Sequence, residues 1–381
     1  MPTDRRRLGR LPAGTGVRSL NSSADILFER RGTAGIVILS RPHALNAVTH
    51  AMVCALMEQL VAWADDAAVT RVILLAAGTR AFSAGGDLKA IYELGRSGRY
   101  DDALKFWWDE YRLNALIKRY RKPYVALIDG VVMGGGAGIS INGSHRVAGD
   151  AFRFAMPEVG IGFFPDVGAT WFLPRLPGEL GTYCALTGDR LDATDGPGCG
   201  IATHRVRSAR FAELVEALCG AVPVDAVLAA FTEPVDAGAV TLQRPAIDRW
   251  FNANHVEEIL ASLDTSAAQP GREGDLARTA ASAIREKSPL SLKLALALQR
   301  RGRTLAFDEC MRTEYRVVSR VARGHDFYEG IRAVIVDKDQ APMWRPSALA
   351  AISEAEVERH FDPVARELDL PELDPPELDL P

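Results

Sequence analysis

Hydrophobic positions change their period along this chain, and each change marks an element. Ile26 to Arg30 and Ile36 to Leu39 are short apolar and β-branched runs split by Arg31-Gly32-Thr33-Ala34-Gly35. They predict a hairpin. Thr49 precedes an amphipathic stretch reaching about Asp65, which is where a helix N-cap belongs. Arg71 to Ala76 reads as a strand. Between Tyr100 and Arg121, Phe106, Tyr111, Leu113 and Leu116 recur at helical spacing, with Glu110 among them. A strand over 124 to 129, a glycine turn, a helix, and short strands near Arg146 to Ala148 and Phe152 to Ala155 then set up a strand-strand-helix rhythm. That rhythm is α/β. From Phe211 to Leu263 and from Asp275 to Val321 the chain reads as helical, broken at Gln269-Pro270-Gly271.

Composition adds limits. The 381 residues, 48% hydrophobic and 25% charged, are enough for a large core, in one domain or two intimate ones. A net charge of −4 supplies no basic field for nucleic acid or an anionic membrane. No run of about 18 apolar residues predicts a membrane span. Cys54, Cys184, Cys199, Cys219 and Cys310 are odd in number, widely spaced and free of any C-x-x-C pattern. Neither a disulfide framework nor a zinc site is indicated, and a reducing compartment fits. The first 23 residues hold five arginines and one acid, broken by Pro12, Gly14 and Gly16, and read as a disordered leader. The end, RELDLPELDPPELDLP, repeats an acidic unit and predicts a disordered tail over 362–381.

The densest chemistry lies between residues 124 and 175. Tyr124 to Ile128 stops at Asp129-Gly130, and Gly134, Gly135 and Gly136 lead into a helical segment. Glycines let a backbone approach a ligand, and the first N–H groups of a helix are free to donate to an oxyanion. The plainer reading is a turn that only closes helix against strand. A second turn, Ala84-Gly85-Gly86-Asp87, follows the strand before it and can supply a partner donor. Glu158 and Asp166 stand inside apolar sequence, and a buried carboxylate needs a reason. His145, His204 and His325 have no nucleophile motif or ligand spacing beside them and read as packing or surface residues, as do Cys184 and Cys199.

At these residues the chain resembles a known family. AFSAGGDLK at 81–89, MGGGAGIS at 133–140 and MPEVGIGFFPDVGATWFLPRL at 156–176 look like the crotonase (enoyl-CoA hydratase/isomerase) superfamily. ALTGDRLDATD at 185–195, GIATHRV at 200–206, SPLSLKLA at 288–295 and the block at 314–346 look like its 3-hydroxyisobutyryl-CoA hydrolase subfamily. The resemblance covers roughly 24 to 361. It implies a crotonase-like ββα spiral over 24–207 that holds the active site, and a helical C-terminal region over 208–361.

The resemblance also implies roles. Gly86 and Gly135 would polarise a thioester carbonyl through their N–H groups. Glu158 would be the catalytic base or nucleophile, Asp166 a second acid, and Glu110 would reach the substrate pocket although its spacing alone allows a solvated helix face. The second glutamate of the family's hydratases would fall at Gly138, which disfavours hydration with two carboxylates. The implied reaction is hydrolysis of 3-hydroxyisobutyryl-CoA in valine breakdown, with no metal or redox cofactor, since coenzyme A belongs to the substrate. The rivals are an enoyl-CoA hydratase/isomerase and a non-catalytic acyl-CoA-binding protein. The expected setting is cytoplasmic, or the mitochondrial matrix in a eukaryote. Homo-oligomers are common in the family, but the extra C-terminal sequence can cover the assembly surface within one chain.

Overall fold

The structure, a computed structural model, describes residues 24–370. The leader expected over 1–23 and the last part of the acidic tail lie outside the described residues. Among the described residues ten strands form two sheets. β1 (Ile26–Arg31) and β2 (Ala34–Leu39) make the predicted hairpin, with a turn of only Gly32-Thr33 where the sequence suggested a longer one. β3 (Arg71–Ala76), β5 (Tyr124–Ile128), β7 (His145–Ala148) and β10 (His204–Arg205) extend that hairpin in parallel into a six-stranded sheet. β4 (Ala81–Ser83), β6 (Val131–Met133) and β8 (Arg153–Ala155) run parallel in a smaller sheet closed by antiparallel β9 (Leu191–Asp192).

The sequence alternates between these sheets. Each successive pair, β3 and β4, β5 and β6, β7 and β8, sends its first strand to the large sheet and its second to the small one. The result is the ββα spiral that the resemblance implied. Continuous apolar runs mark the large sheet because both its faces are covered. In β5, Tyr124, Ala126 and Ile128 join the main core, while Val125 and Leu127 face a second cluster under the helices Phe211–Leu218 and Val224–Phe231. Thr49 caps α1 (His50–Asp65) as expected, its hydroxyl accepting from Met52 N at 3.2 Å. α2 (Leu88–Arg96), α3 (Tyr100–Lys118) and α4 (Gly135–Ile141) follow.

Residues from Ile26 to Leu370 share one core cluster, so the spiral and the C-terminal helices pack on a common interior. One expectation is corrected. The segment from 362 is docked as far as Leu370. Leu368 and Leu370 are buried, Arg316 Nε donates to Glu367 at 3.0 Å, and Arg366 lies over the Trp108 ring. The density of acids hid two leucines at every-other-residue spacing. Among the described residues no helix is long and apolar enough to cross a membrane.

Candidate active site

Three neighbouring parallel strands of the small sheet end at one place. Ala84-Gly85-Gly86 follows β4, Gly134-Gly135 follows β6, and Met156-Pro157-Glu158 follows β8. Their carboxyl ends line a cavity of about 360 Å³, completed by Phe106, Trp107 and Glu110 from α3, by Asp166, and by Lys287, Val334, Ile335 and Gln340 from the C-terminal region. Most of this wall is apolar, with a few converging polar groups, as in small-molecule sites generally.

The two glycine turns face each other. Gly85 turns with φ +106°, a left-handed angle that suits glycine. Beyond it, Gly86 bridges Val48 in parallel, through Val48 N to Gly85 O at 2.8 Å and Asp87 N to Val48 O at 2.9 Å. That pattern uses the groups on either side of Gly86 and directs its own N–H away from Val48. Gly135 opens α4, so its N–H has no intrahelical acceptor. A Cβ placed on Gly135 would lie 3.3 Å from Gly86 N and would collide with Glu110 Oε1. The two donors therefore border one small space, and side chains are excluded from it.

Carboxylates surround that space. Glu110 is 1% exposed and Glu158 6% exposed, and Glu110 Oε1 and Glu158 Oε2 are buried without a hydrogen-bond partner. Glu158 lies beside the second turn, its Oε1 3.4 Å from where a Cβ on Gly134 would be. Burial, and then the charge of Asp166, holds Glu158 well above the usual carboxylate range. Burial does the same to Glu110, reinforced by Asp166 and Glu314. Asp166 is pushed up to about 7 by burial, although its Oδ2 accepts from the Tyr111 hydroxyl at 2.9 Å. Unpaired buried oxygens and displaced protonation are what a reacting site requires.

All five residues singled out in the sequence, Gly86, Glu110, Gly135, Glu158 and Asp166, meet at this cavity. The histidines do not. His145 pairs with Asp225 at 2.9 Å and stacks on His204 at 6.0 Å, and neither lines the cavity, nor does His325. Cys184 and Cys199 are buried. Glu110 belongs to a buried stripe with Ala103, Phe106, Trp107, Leu113, Asn114 and Ile117, so it faces inward as the resemblance implied.

Sequence reading missed Tyr111 as a partner of Asp166, and it missed Glu314. Glu314 is wholly buried, accepts Gly168 N and Thr170 N at 2.9 Å each, and is pushed up to about 8 by burial and by the charge of Asp166. The available signal was its place on the apolar stripe Phe307, Cys310, Met311, Val318 and Val321. Among the described residues one trio has metal-ligand geometry: ligand atoms of His50, Cys54 and Asp109 lie within 4.8 Å of one another. The cavity does not include them, and Asp109 Oδ2 is already bonded to His50 Nε2 at 2.6 Å and Lys105 Nζ at 2.8 Å. His50 and Cys54 stand four apart on α1, but the third member, Asp109, comes from α3, which the sequence does not place beside them.

At Gly138 a Cβ would lie 2.7 Å from Val167 Cβ and 2.8 Å from Asn114 Nδ2. A glutamate has no room there. The acids opposite Glu158 come instead from Asp166 and α3.

Residues 34–361 match the family model described as enoyl-CoA hydratase/isomerase. The chain is 42% identical, over 353 residues covering 90% of it and 91% of the relative, to a Danio rerio protein named 3-hydroxyisobutyryl-CoA hydrolase, mitochondrial. Among solved structures it is similar to a carnitinyl-CoA dehydratase from Mycobacterium thermoresistibile, with 42% identity, a TM-score of 0.86, and 91% of this chain and 99% of that one covered. An enoyl-CoA hydratase from Rhodobacter sphaeroides gives 37% identity and a TM-score of 0.84, over 91% of this chain and all of that one (100%).

Proposed function

The chain belongs to the enoyl-CoA hydratase/isomerase family, and from that premise we propose that it is an acyl-CoA thioester hydrolase acting on 3-hydroxyisobutyryl-CoA. The observation that carries the reading is the pairing of one small donor-lined space with a single family carboxylate, Glu158, while Gly138 leaves no room for a second. The thioester carbonyl oxygen accepts from the N–H groups of Gly86 and Gly135. Donors aimed at a developing oxyanion are worth about 2.7–4 kcal/mol each in a well-studied protease.

Glu158 supplies the base or the nucleophile. As a base it takes a proton from water, hydroxide adds to the carbonyl carbon, and the C–S bond breaks; the coenzyme A thiolate then leaves with that proton. As a nucleophile it forms a mixed anhydride that water opens afterwards. Both routes end in the free acid and the thiol, and both leave one hydroxyl on the acyl chain to be held. Asp166 and Glu110 hold it, because a hydroxyl against a buried carboxyl gains a strong hydrogen bond and a substrate lacking it leaves the acceptor dry. This chemistry calls for no metal or redox group.

The second reading is hydration, favoured by the names of the two similar solved structures. One experiment separates them from each other and from a protein that only binds acyl-CoA. Purified protein is given 3-hydroxyisobutyryl-CoA with a thiol reagent, and crotonyl-CoA in parallel. A hydrolase releases thiol from the first. A hydratase consumes crotonyl-CoA without releasing thiol, a binder does neither, and either result sinks the proposal.

A further inference from the structure

The turn that carries Asp166 has an unusual backbone. Val167 and Gly168, the next two residues, have φ +54° and φ +94°. Two left-handed residues in a row are rare, and a β-branched side chain rarely takes that angle, so the surrounding structure must impose it. Asn142 Nδ2 donates to Val167 O at 2.9 Å, and Ala169 N donates to Asp166 O at 2.8 Å. Trp171 N and Phe172 N donate to Gly168 O, and Glu314 adds a hold from outside the segment, reaching in from the helix Phe307–Val321: Gly168 N donates to its Oε2 and Thr170 N to its Oε1, each at 2.9 Å. Both its oxygens are spent on this turn and it does not line the cavity, so it has no atom for the substrate.

We propose that Glu314 is a positioning residue for Asp166: a carboxylate from the C-terminal region clamps the left-handed turn and thereby aims the Asp166 carboxyl at the substrate hydroxyl. The helical region thus sets substrate choice as well as covering the core. The proposal rests on the reading of Asp166 as the hydroxyl's partner, and its test measures binding, so that it stands or falls apart from turnover.

Glu158→Gln serves as the non-hydrolysing background. The ratio of dissociation constants for isobutyryl-CoA and 3-hydroxyisobutyryl-CoA is measured by calorimetry in that protein, then with Asp166→Asn, with Glu314→Gln, and with both. Glutamine keeps the volume but offers one acceptor oxygen where two backbone donors need it. Glu314→Gln is expected to shrink the ratio about 10-fold, the scale of one lost charge-assisted bond. In the Asp166→Asn background it should change the ratio by less than about 2-fold, because a residue acting through Asp166 has nothing left to act on. An equal loss of affinity for both ligands, an undiminished effect beside Asp166→Asn, or no preference in the starting protein overturns the proposal. If Glu314→Gln does not fold, Glu314→Asp, which keeps both oxygens but draws them back, enters the same cycle with an expected effect of about 3-fold. Thiol release by the wild type reports separately on the hydrolase reading.

Discussion

Gly135→Ala fills the donor-lined space. The substitution suits the backbone, since Gly135 is the first residue of α4 and its φ is not left-handed. The entropy gain that alanine brings through the unfolded chain, about 0.4–1 kcal/mol, is set against a clash in the folded one. The methyl lies 3.3 Å from Gly86 N and meets Glu110 Oε1, so it fills the space between the two N–H groups. A carbonyl oxygen must come within about 2.9 Å of its donor, and carbon and oxygen cannot share that volume. The Gly86 donation is lost, and at about 2.7–4 kcal/mol this predicts a fall of about 10²–10³ in kcat. Gly86→Ala is the control. Its methyl would meet the Phe106 ring at 3.3 Å, away from Gly135, so kcat should fall much less, by about 10-fold or less. Thiol release at saturating substrate gives kcat, and thermal melts report the fold. A Gly135→Ala protein within threefold of wild type, or one no more impaired than Gly86→Ala, would show that the carbonyl is held elsewhere.

Glu158→Gln keeps shape and removes the proton acceptor, so kcat should fall by about 10²–10⁴ with coenzyme A affinity unchanged by calorimetry; near-normal turnover removes Glu158 from the chemistry. Asp166→Asn and Glu110→Gln should each narrow the kcat/KM preference for 3-hydroxyisobutyryl-CoA over isobutyryl-CoA, and equal losses on both substrates would assign these acids to the chemical step or the fold. Asp166 sits near 3.8 unfolded and about 7 folded, so between those values the folded chain binds a proton that the unfolded chain releases. Its stabilising effect is complete below about pH 3.8 and is lost as pH rises toward 7, so Tm should fall across that window, and less steeply in Asp166→Asn; equal slopes refute the shift. Lys287 lines the cavity and has no ion pair among the described residues, so Lys287→Ala should raise KM several-fold by losing a coenzyme A phosphate while kcat holds; an unchanged KM places the phosphates elsewhere.

What was legible beforehand divides along a physical line. The strands could be read because a sheet covered on both faces demands unbroken apolar runs, as in Tyr124 to Ile128. The glycine turns could be read because Gly85 takes a left-handed angle and a side chain on Gly135 would fill the space before the Gly86 N–H. Both are local demands of the backbone. Glu110 was harder: its spacing fits a wet helix face as well as a dry one, and only the likeness to a family favoured the dry one. Glu314 sits on an equally apolar stripe and drew no notice, because its partners, Gly168 N and Thr170 N, come from far along the chain.

The electrostatics of the site belong to that second class entirely. Glu110, Asp166 and Glu314 come from three elements far apart in sequence, and each keeps an ordinary affinity for protons until the fold buries it. Burial then makes them neighbours, and the charge of one raises another. A site holding several such groups cannot ionise all of them at once, so adding a charge at one must move protons at the rest. That mutual influence depends on the helix Phe307–Val321 placing Glu314 near Asp166 and Glu110, and so the C-terminal region, which read as a helical covering, shares in the electrostatics of the cavity.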